Sequence, residues 1–515
     1  MRGSSGAQAL IRLVLALALA SALIAAPSAE ARSKPPVVLL VFDEFPTDSI
    51  VRAGGRIDSA RFPGFAALAG TSTWFRNSHA VADTTASSVP SILTSTPPQL
   101  HERFKRSYKS YRHSVFTLLG SSGYRISATD EDTRICPPRY CTYPEPFTIK
   151  PLSPVRSRMD ELDRVLRSLR RTKRPRFTYL HSLLPHVPWH LTPSGHLRDP
   201  GPPGKDARIL AGPFGFTDPF LTLQDEQRHL LQVGYVDLVI RSLIDTLKRR
   251  RMFDRSLVVI TADHGVSFEL GAFNRRAVRR DARNVEEIAL VPLFVKRPGQ
   301  RRGRVSSAWV RGTDVVPTIA DVLGLRLPWR PAGASAYSRS VRARRHLVTS
   351  SPDVGYTVRV RGSRVERARR ANLARRHGLF GTGSWEKVFR IGPNPGLLGV
   401  RPQQLPSAPA TGLAAEFDLP TNLGNVDLSA RVLPTWAVGD LRGGNAGPTA
   451  RRDLALAVNG TIRAVGRSAH LATRTKEYFS LIFDERHLLN GRNTMQLYEV
   501  RRSGPDLALA ALGGR

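Results

Sequence analysis

Apolar positions near the start of the chain run in unbroken blocks. Val37–Phe42 is a continuous β-rich stretch, as expected for a strand covered on both faces. Leu257–Ala262 repeats the pattern, and Phe177–His181 and Pro292–Lys296 read as further strands. Helical periodicity fills the intervals. A helix is predicted around Arg61–Ala69. A long amphipathic one is predicted over Asp225–Arg250, with Val236, Val239, Ile240, Leu243, Ile244 and Leu247 on one face. Thr318–Leu323 reads as a short helix ended by Gly324. This alternation predicts an α/β fold, a mostly parallel sheet with helices on both faces. Such sheets bind ligands beyond the carboxyl ends of their strands.

The helical repeat stops near residue 326. Residues 331–411 are rich in Pro, Gly, Ser and Arg, and read as an irregular extension ending in a linker, Pro402–Thr411. Residues 412–515 then read as a small β-sandwich-like module. Its strongest signal is a hairpin of Leu454–Val458, the turn Asn459-Gly460 and Thr461–Val465. Tyr478–Phe483 and Met495–Val500 are further strands. Asn459-Gly460-Thr461 also fits a glycosylation sequon, but the turn reading is preferred.

Residues 1–31 stand apart. Arg2 and Arg12 precede the apolar stretch Leu13–Ala26, and Ala29-Glu30-Ala31 follows, the layout of a secretory signal peptide. The catalytic part is then expected over 36–330, in a protein that is secreted or associated with the cell envelope. The only cysteines are Cys136 and Cys141. In an exported protein a lone close pair points to a small disulfide loop, two unpaired thiols being the alternative. A formal charge of +35, nearly all from arginine, would attract anionic polymers or a lipid surface. Peripheral envelope association is therefore expected. The sequence has no aromatic-interleaved basic motif or reader module, so nucleic acid is not expected as a partner.

Three segments carry chemistry. Asp43 and Glu44 end the first apolar run. Adjacent buried carboxylates repel one another unless a cation or strong donors lie between them. Asp263-His264-Gly265 ends the second such run, and Gly265 permits a turn that lets neighbouring side chains converge. Thr84-Thr85-Ala86-Ser87-Ser88-Val89-Pro90 supplies hydroxyls. Pro90 suits the first turn of a helix, whose N-terminus would favour a tetrahedral anion. Together these are the parts of a nucleophile activated by one divalent metal ion, directed at a phosphate or sulfate ester. The imidazole favours zinc or manganese over calcium.

The order of Asp43-Glu44, Thr85-Ala86-Ser87-Ser88-Val89-Pro90, His181-Ser182-Leu183-Leu184-Pro185-His186-Val187-Pro188-Trp189-His190 and Asp263-His264-Gly265 resembles the sulfatase-like branch of the alkaline phosphatase superfamily. The similarity runs from about Val37 to Leu325. The hydroxyl segment is most similar to that of phosphoethanolamine transferases and lipoteichoic acid synthases. The resemblance implies an alkaline-phosphatase-like fold and Thr85 as nucleophile. It implies Asp43, Glu44, Asp263 and His264 as metal ligands, and His186 as proton donor to the leaving group. His181, itself compatible with a core position, and Arg276 are expected toward the substrate, with Arg275 an alternative for anion binding. Ser88-Val89-Pro90-Ser91-Ile92 departs from the formylglycine motif of true sulfatases by having isoleucine in place of arginine. Three readings stay open. One is phosphate-ester cleavage through Thr85, on an envelope polymer or lipid headgroup. The second is sulfate-ester hydrolysis at Ser88 or Thr85. The third is a catalytically degenerate protein that binds anionic glycans.

Overall fold

A computed structural model describes residues 34–101, 105–141, 155–198, 218–272, 275–276, 279, 282–410, 412–418, 423–443, 451–470 and 476–514. The signal-type segment lies outside them. Seven strands form the central sheet: β1 (Val37–Asp43), β2 (Thr73–Phe75), β3 (Arg125–Asp130), β4 (Arg176–Pro185), β5 (Leu257–Ala262), β6 (Leu293–Lys296) and β7 (Arg304–Ser306). Their order is β7-β2-β6-β5-β1-β4-β3. The contiguous set β3, β4, β1 and β5 is parallel. Only β6 runs against its neighbours β5 and β2.

The unbroken apolar runs are explained by what lies above and below this sheet. Side chains alternate faces along a strand. Val38, Leu40 and Phe42 of β1, with Val258 and Ile260 of β5, enter one core layer. Val37, Leu39 and Val41, with Leu257 and Val259, enter the other. The first layer is closed by α1 (Pro63–Ala69), α3 (Val155–Ser168) and α4 (Pro219–Arg249). The second is closed by α2 (Thr85–Thr94) and α5 (Val315–Leu323). All six apolar positions that predicted the long helix face the first layer. That helix starts at Pro219, earlier than its periodicity suggests, because Asp218 accepts hydrogen bonds from the backbone of Phe220 and Leu221 and Pro219 occupies the first turn. Gly324 ends α5 in a left-handed conformation, φ 65°.

The extension after residue 330 is more ordered than its composition suggests. Strands β8 (His346–Ser351) and β9 (Tyr356–Arg361) form a hairpin, and α6 (Gly362–Phe380) follows. The buried face of α6 is Gly362, Val365, Arg369, Leu373, Arg376 and Phe380. The spacing is helical, but two of the inward positions are arginine, which hides the helix from a reading of apolar periodicity. Arg369 Nε lies 2.7 Å from Asp48 Oδ1, and Arg376 Nε lies 2.9 Å from Glu226 Oε1. Breaking such a buried pair leaves an uncompensated charge. Arg369→Ala is therefore expected to destabilise the fold by about 3–5 kcal/mol, measurable by urea unfolding.

The C-terminal part is all-β. A five-stranded sheet and a four-stranded sheet enclose a core that includes Leu454, Leu456, Phe479 and Leu497. Asp453–Val458 and Thr461–Arg467 form the expected hairpin, and positive φ at Asn459 and Gly460 makes its turn. Trp436 from this region stacks under the Arg228 guanidinium of α4, 4.3 Å from ring centroid to Cζ. Cys136 and Cys141 are joined by a disulfide. Among the described residues no helix is long and apolar enough to cross a membrane.

Candidate active site

The register of the parallel strands builds the site. Val41 of β1 lies beside His181 of β4, which lies beside Asp130 of β3, while Phe42 lies beside Ala262 of β5. One carboxyl edge therefore gathers Asp130, His181, Asp43 and Asp263 from four adjacent strands. Asp43, His181 and Asp263 each offer a ligand atom, all within 4.8 Å of one another, and all three are buried. From the other side, His264 Nε2 lies 3.6 Å from Asp43 Oδ1 and 3.5 Å from Asp263 Oδ2.

Thr85 completes the arrangement. Helix α2 begins at Thr85, ahead of the Pro90 start that the sequence suggests; Pro90 sits inside it. No side chain caps the helix, so its N-terminal N–H groups and dipole favour an anion there. Thr85 Oγ1 donates to Asp43 Oδ2 at 3.4 Å and lies 3.3 Å from His264 Nε2. His264 Nδ1 faces the Gly265 carbonyl at 2.9 Å, which keeps the proton on Nδ1 and the Nε2 lone pair toward Thr85. Ser88 is turned away, donating to the Asp263 carbonyl at 2.6 Å. Gly265 is needed for space: a Cβ there would stand 2.0 Å from the Glu287 carbonyl oxygen.

The electrostatics follow from burial. Asp43 is pushed well above the usual carboxylate range by desolvation, then by Asp263 and Glu44. Burial lowers the His181 pKa, but Asp130, 2.9 Å from its Nδ1, with Asp263 and Asp43 carries it up to about 10. Asp43 Oδ1, Asp263 Oδ2 and His181 Nε2 are buried without a hydrogen-bond partner. Buried polar groups rarely stay unpaired. Three such atoms aimed at one point, two of them carboxylate oxygens, fit a divalent cation.

Three expectations change. Glu44 does not join the ligand group. The register of β1 against β4 shifts between Phe42 and Asp43, and Glu44 takes φ 56°; its carboxylate stays outside the group of Asp43, His181 and Asp263 that converges to ligand distance. Glu44 instead accepts from Arg275 Nε at 2.6 Å. Burial would raise its pKa, but Arg275 and three histidines hold it at about 2. Arg276 pairs with Asp353, leaving Arg275 as the guanidinium at the site. His186 is also unsuited to giving a proton. Its Nδ1 faces the Val187 carbonyl at 2.8 Å and its Nε2 meets Arg275. Burial lowers its pKa to about 3 against the pull of Glu44, so the ring is neutral. Arg158 of α3 fixes this turn by donating to the carbonyls of Leu183, His186 and Val187. Asp130 escaped the sequence reading because its strand, Arg-Ile-Ser-Ala-Thr-Asp, is polar at the sheet edge. A strand ending on an acid was the available signal.

The sulfatase family model matches residues 35–325, more than half of the chain. The chain belongs to the sulfatase family. This is a family of metal-dependent hydrolases. Among relatives of this sulfatase-family chain, choline-sulfatase of Rhizobium meliloti (strain 1021) is 31% identical over 110 residues, which is 21% of this chain and 20% of that protein. The chain thus matches about a fifth of the length of this curated relative. Phosphonate monoester hydrolase of Silicibacter pomeroyi is 16% identical, aligned over 67% of this chain and 96% of its own, with a TM-score of 0.44. The phosphonate monoester hydrolase of Agrobacterium radiobacter is also 16% identical, over 61% and 80%, with a TM-score of 0.45.

Proposed function

We propose that this chain is a metal-dependent hydrolase or transferase that cleaves a phosphate ester through Thr85. The observation that carries the reading is the position of Thr85 Oγ1, within hydrogen-bond reach of both Asp43 and His264 at an uncapped helix N-terminus. Asp43, Asp263, His181 and His264 would hold the cation. When bound, that cation would polarise the ester oxygen and favour the alkoxide of a neighbouring hydroxyl. The Thr85 hydroxyl attacks phosphorus in line. Its proton passes to an acceptor already beside it, Asp43 Oδ2, as the bond to the leaving oxygen breaks. The leaving oxygen departs with a proton from solvent, since the neutral His186 ring keeps its one N–H on the Val187 carbonyl. Water or an acceptor alcohol then resolves the phosphothreonine. The N-terminal N–H groups of α2 and the guanidinium of Arg275 orient the anion.

A second reading is sulfate-ester hydrolysis, favoured by the family and by the choline-sulfatase relative. The hydrogen bond of Ser88 to the Asp263 carbonyl favours Thr85 over Ser88 as the reacting group in either case. Ser88→Ala is expected to keep turnover within about tenfold of wild type, ~1.4 kcal/mol in the barrier. The deciding experiment screens phosphate monoesters, phosphate diesters and sulfate esters in the presence of Zn²⁺, Mn²⁺ or Ca²⁺, with mass spectrometry of residues 80–100 after rapid quench. Phosphate trapped on Thr85 supports the first reading, and formylglycine at position 88 replaces it with the second. The signal-type N-terminus and the Cys136–Cys141 disulfide support an extracytoplasmic site of action. The positive charge supports an anionic envelope polymer or lipid headgroup as the substrate's carrier.

A further inference from the structure

The catalytic groups occupy one edge of the central sheet. Three basic runs of the sequence meet at the opposite, amino-terminal edge. Residues 170–176 lead from α3 into β4, residues 248–256 lead from α4 into β5, and residues 297–304 join β6 to β7. The parallel strands β4 and β5 begin at this edge, and the antiparallel β6 ends at it. Hydrogen bonds stitch the runs to one another and to their neighbours. The Arg125 N–H at the start of β3 donates to the Pro175 carbonyl at 2.9 Å. The Gly299 N–H donates to the Asp254 carbonyl at 2.6 Å, and Arg250 Nη1 donates to the Arg167 carbonyl at 3.1 Å.

Together the three runs hold fourteen lysine and arginine residues and one acid, Asp254. Arg170, Arg171, Lys173, Arg174, Arg301 and Arg302 are all exposed, and among the described residues no acid pairs with them. Burial, then Arg125 and Arg170, lowers the pKa of Arg176, which shows like charges crowded on this edge. Each run alone is a solvated loop. Brought together, they form a face of one sign that is complementary to an extended anionic surface.

Two observations select a lipid surface over a soluble polymer. Val305 of β7 is 64% exposed beside Arg304, an apolar side chain set in a basic field, as at a membrane interface. The chain also enters the fold here. Pro36, just before β1, accepts from the Leu257 N–H at 2.9 Å, so the apolar stretch Leu13–Ala26 is joined to this edge by the nine residues between them. Stable seating on a membrane takes two signals, such as an apolar segment and a polybasic patch. We propose that the amino-terminal edge of the sheet docks on an anionic lipid bilayer, with the catalytic edge turned away from it. β1 spans seven residues, which sets the two edges about 20 Å apart, beyond the roughly 8–10 Å over which exposed charges act in ordinary salt. The Thr85 site is then open to an ester carried by a polymer or an opposing surface. That consequence rests on the ester reading; the docking does not.

The test is co-sedimentation of the full chain with two kinds of vesicle. One is phosphatidylcholine alone, and the other is equal parts phosphatidylcholine and phosphatidylglycerol. The neutral vesicles read the share of the apolar stretch. Binding to the anionic vesicles should exceed it and should weaken as salt is added. Arg170→Gln, Arg171→Gln, Lys173→Gln and Arg174→Gln, combined, are expected to weaken binding to the anionic vesicles at least about tenfold. The control combines Arg367→Gln, Arg370→Gln, Arg401→Gln and Arg492→Gln, the same loss of charge at exposed positions elsewhere, and should bind within about twofold of wild type. On the anionic vesicles, hydrogen–deuterium exchange should slow at residues 170–175 and 298–303 and not at the start of α2. Thr85→Ala should dock as wild type does, so failure of the ester reading and failure of the docking are separate results. Equal binding to the two kinds of vesicle, equal losses in the two quadruple variants, protection of α2 instead of the basic runs, or tighter binding to soluble polyphosphate than to the anionic vesicles at equal phosphate each overturns the proposal.

Discussion

Thr85→Ala is expected to lower kcat by at least about 10³-fold, on the scale seen when a catalytic nucleophile is removed. The protein should remain folded. Thr85 is the first residue of α2 and its hydroxyl faces Asp43 and His264, so the loss will be chemical. Thr85→Ser retains the hydroxyl within reach of Asp43 and His264 and should recover part of the rate. KM is expected to change little, because the Thr85 oxygen gains most of its interaction in the transition state. Steady-state kinetics on the best ester from the substrate screen, with rapid-quench detection of the covalent adduct, separates these outcomes. Turnover unchanged in Thr85→Ala removes this residue from the mechanism.

The second large effect concerns stability and metal together. Without a cation, Asp43 and Asp263 face each other in a buried site, and each keeps an unanswered oxygen. Asp43→Asn removes one of two repelling charges, so the metal-free variant should unfold at a higher temperature than metal-free wild type. With metal the order should reverse. Wild type gains about 2.7 kcal/mol at a free metal concentration 100 times Kd, whereas the variant gains little and loses activity. The pH sign follows from the same groups. His181, raised to about 10, holds a proton in the cation-free site near neutrality, and Asp43, raised as well, gives up a proton less readily than a free carboxyl. Metal uptake must release the His181 proton, so affinity should rise with pH. Calorimetry in buffers of different ionisation enthalpy counts the protons, and differential scanning calorimetry with and without chelator reads the stability change. A variant that gains as much from metal as wild type would exclude Asp43 as a ligand.

What the sequence disclosed depended on how each element obtains its stability. β1 and β5 were legible because both faces of each strand bury apolar side chains, leaving an unbroken run. The long helix was legible because six apolar residues mark its inner face. Helix α6 was not, because Arg369 and Arg376 occupy inward positions that an apolar pattern would fill with leucine. The convergence of Asp43, Asp263 and His264 could be read from two strand ends. The place of Glu44 outside the ligand group could not, since Glu44 lies beyond a register shift in a left-handed conformation. His181 carries no local mark of its place. It reaches the acidic group only through its pairing with Val41 of β1, a long-range register that one chain segment does not contain. The choice between Arg275 and Arg276 failed for a related reason: neighbouring side chains leave the backbone in different directions, and Asp353, far along the chain, captures the second.

The arginine face of α6 bears on how the molecule can be divided. Asp48 comes five residues after Asp43, and Glu226 lies one helical turn before His229, whose Nε2 meets the Glu44 carbonyl at 2.9 Å. Both acids are buried and both are neutralised from beyond residue 360. Excising the family-matched stretch 35–325 by itself would strip the counter-charges from two carboxylates that flank the catalytic edge. A minimal active fragment must extend through Phe380, so the stretch that defines the family is shorter than the stretch that can sustain its chemistry.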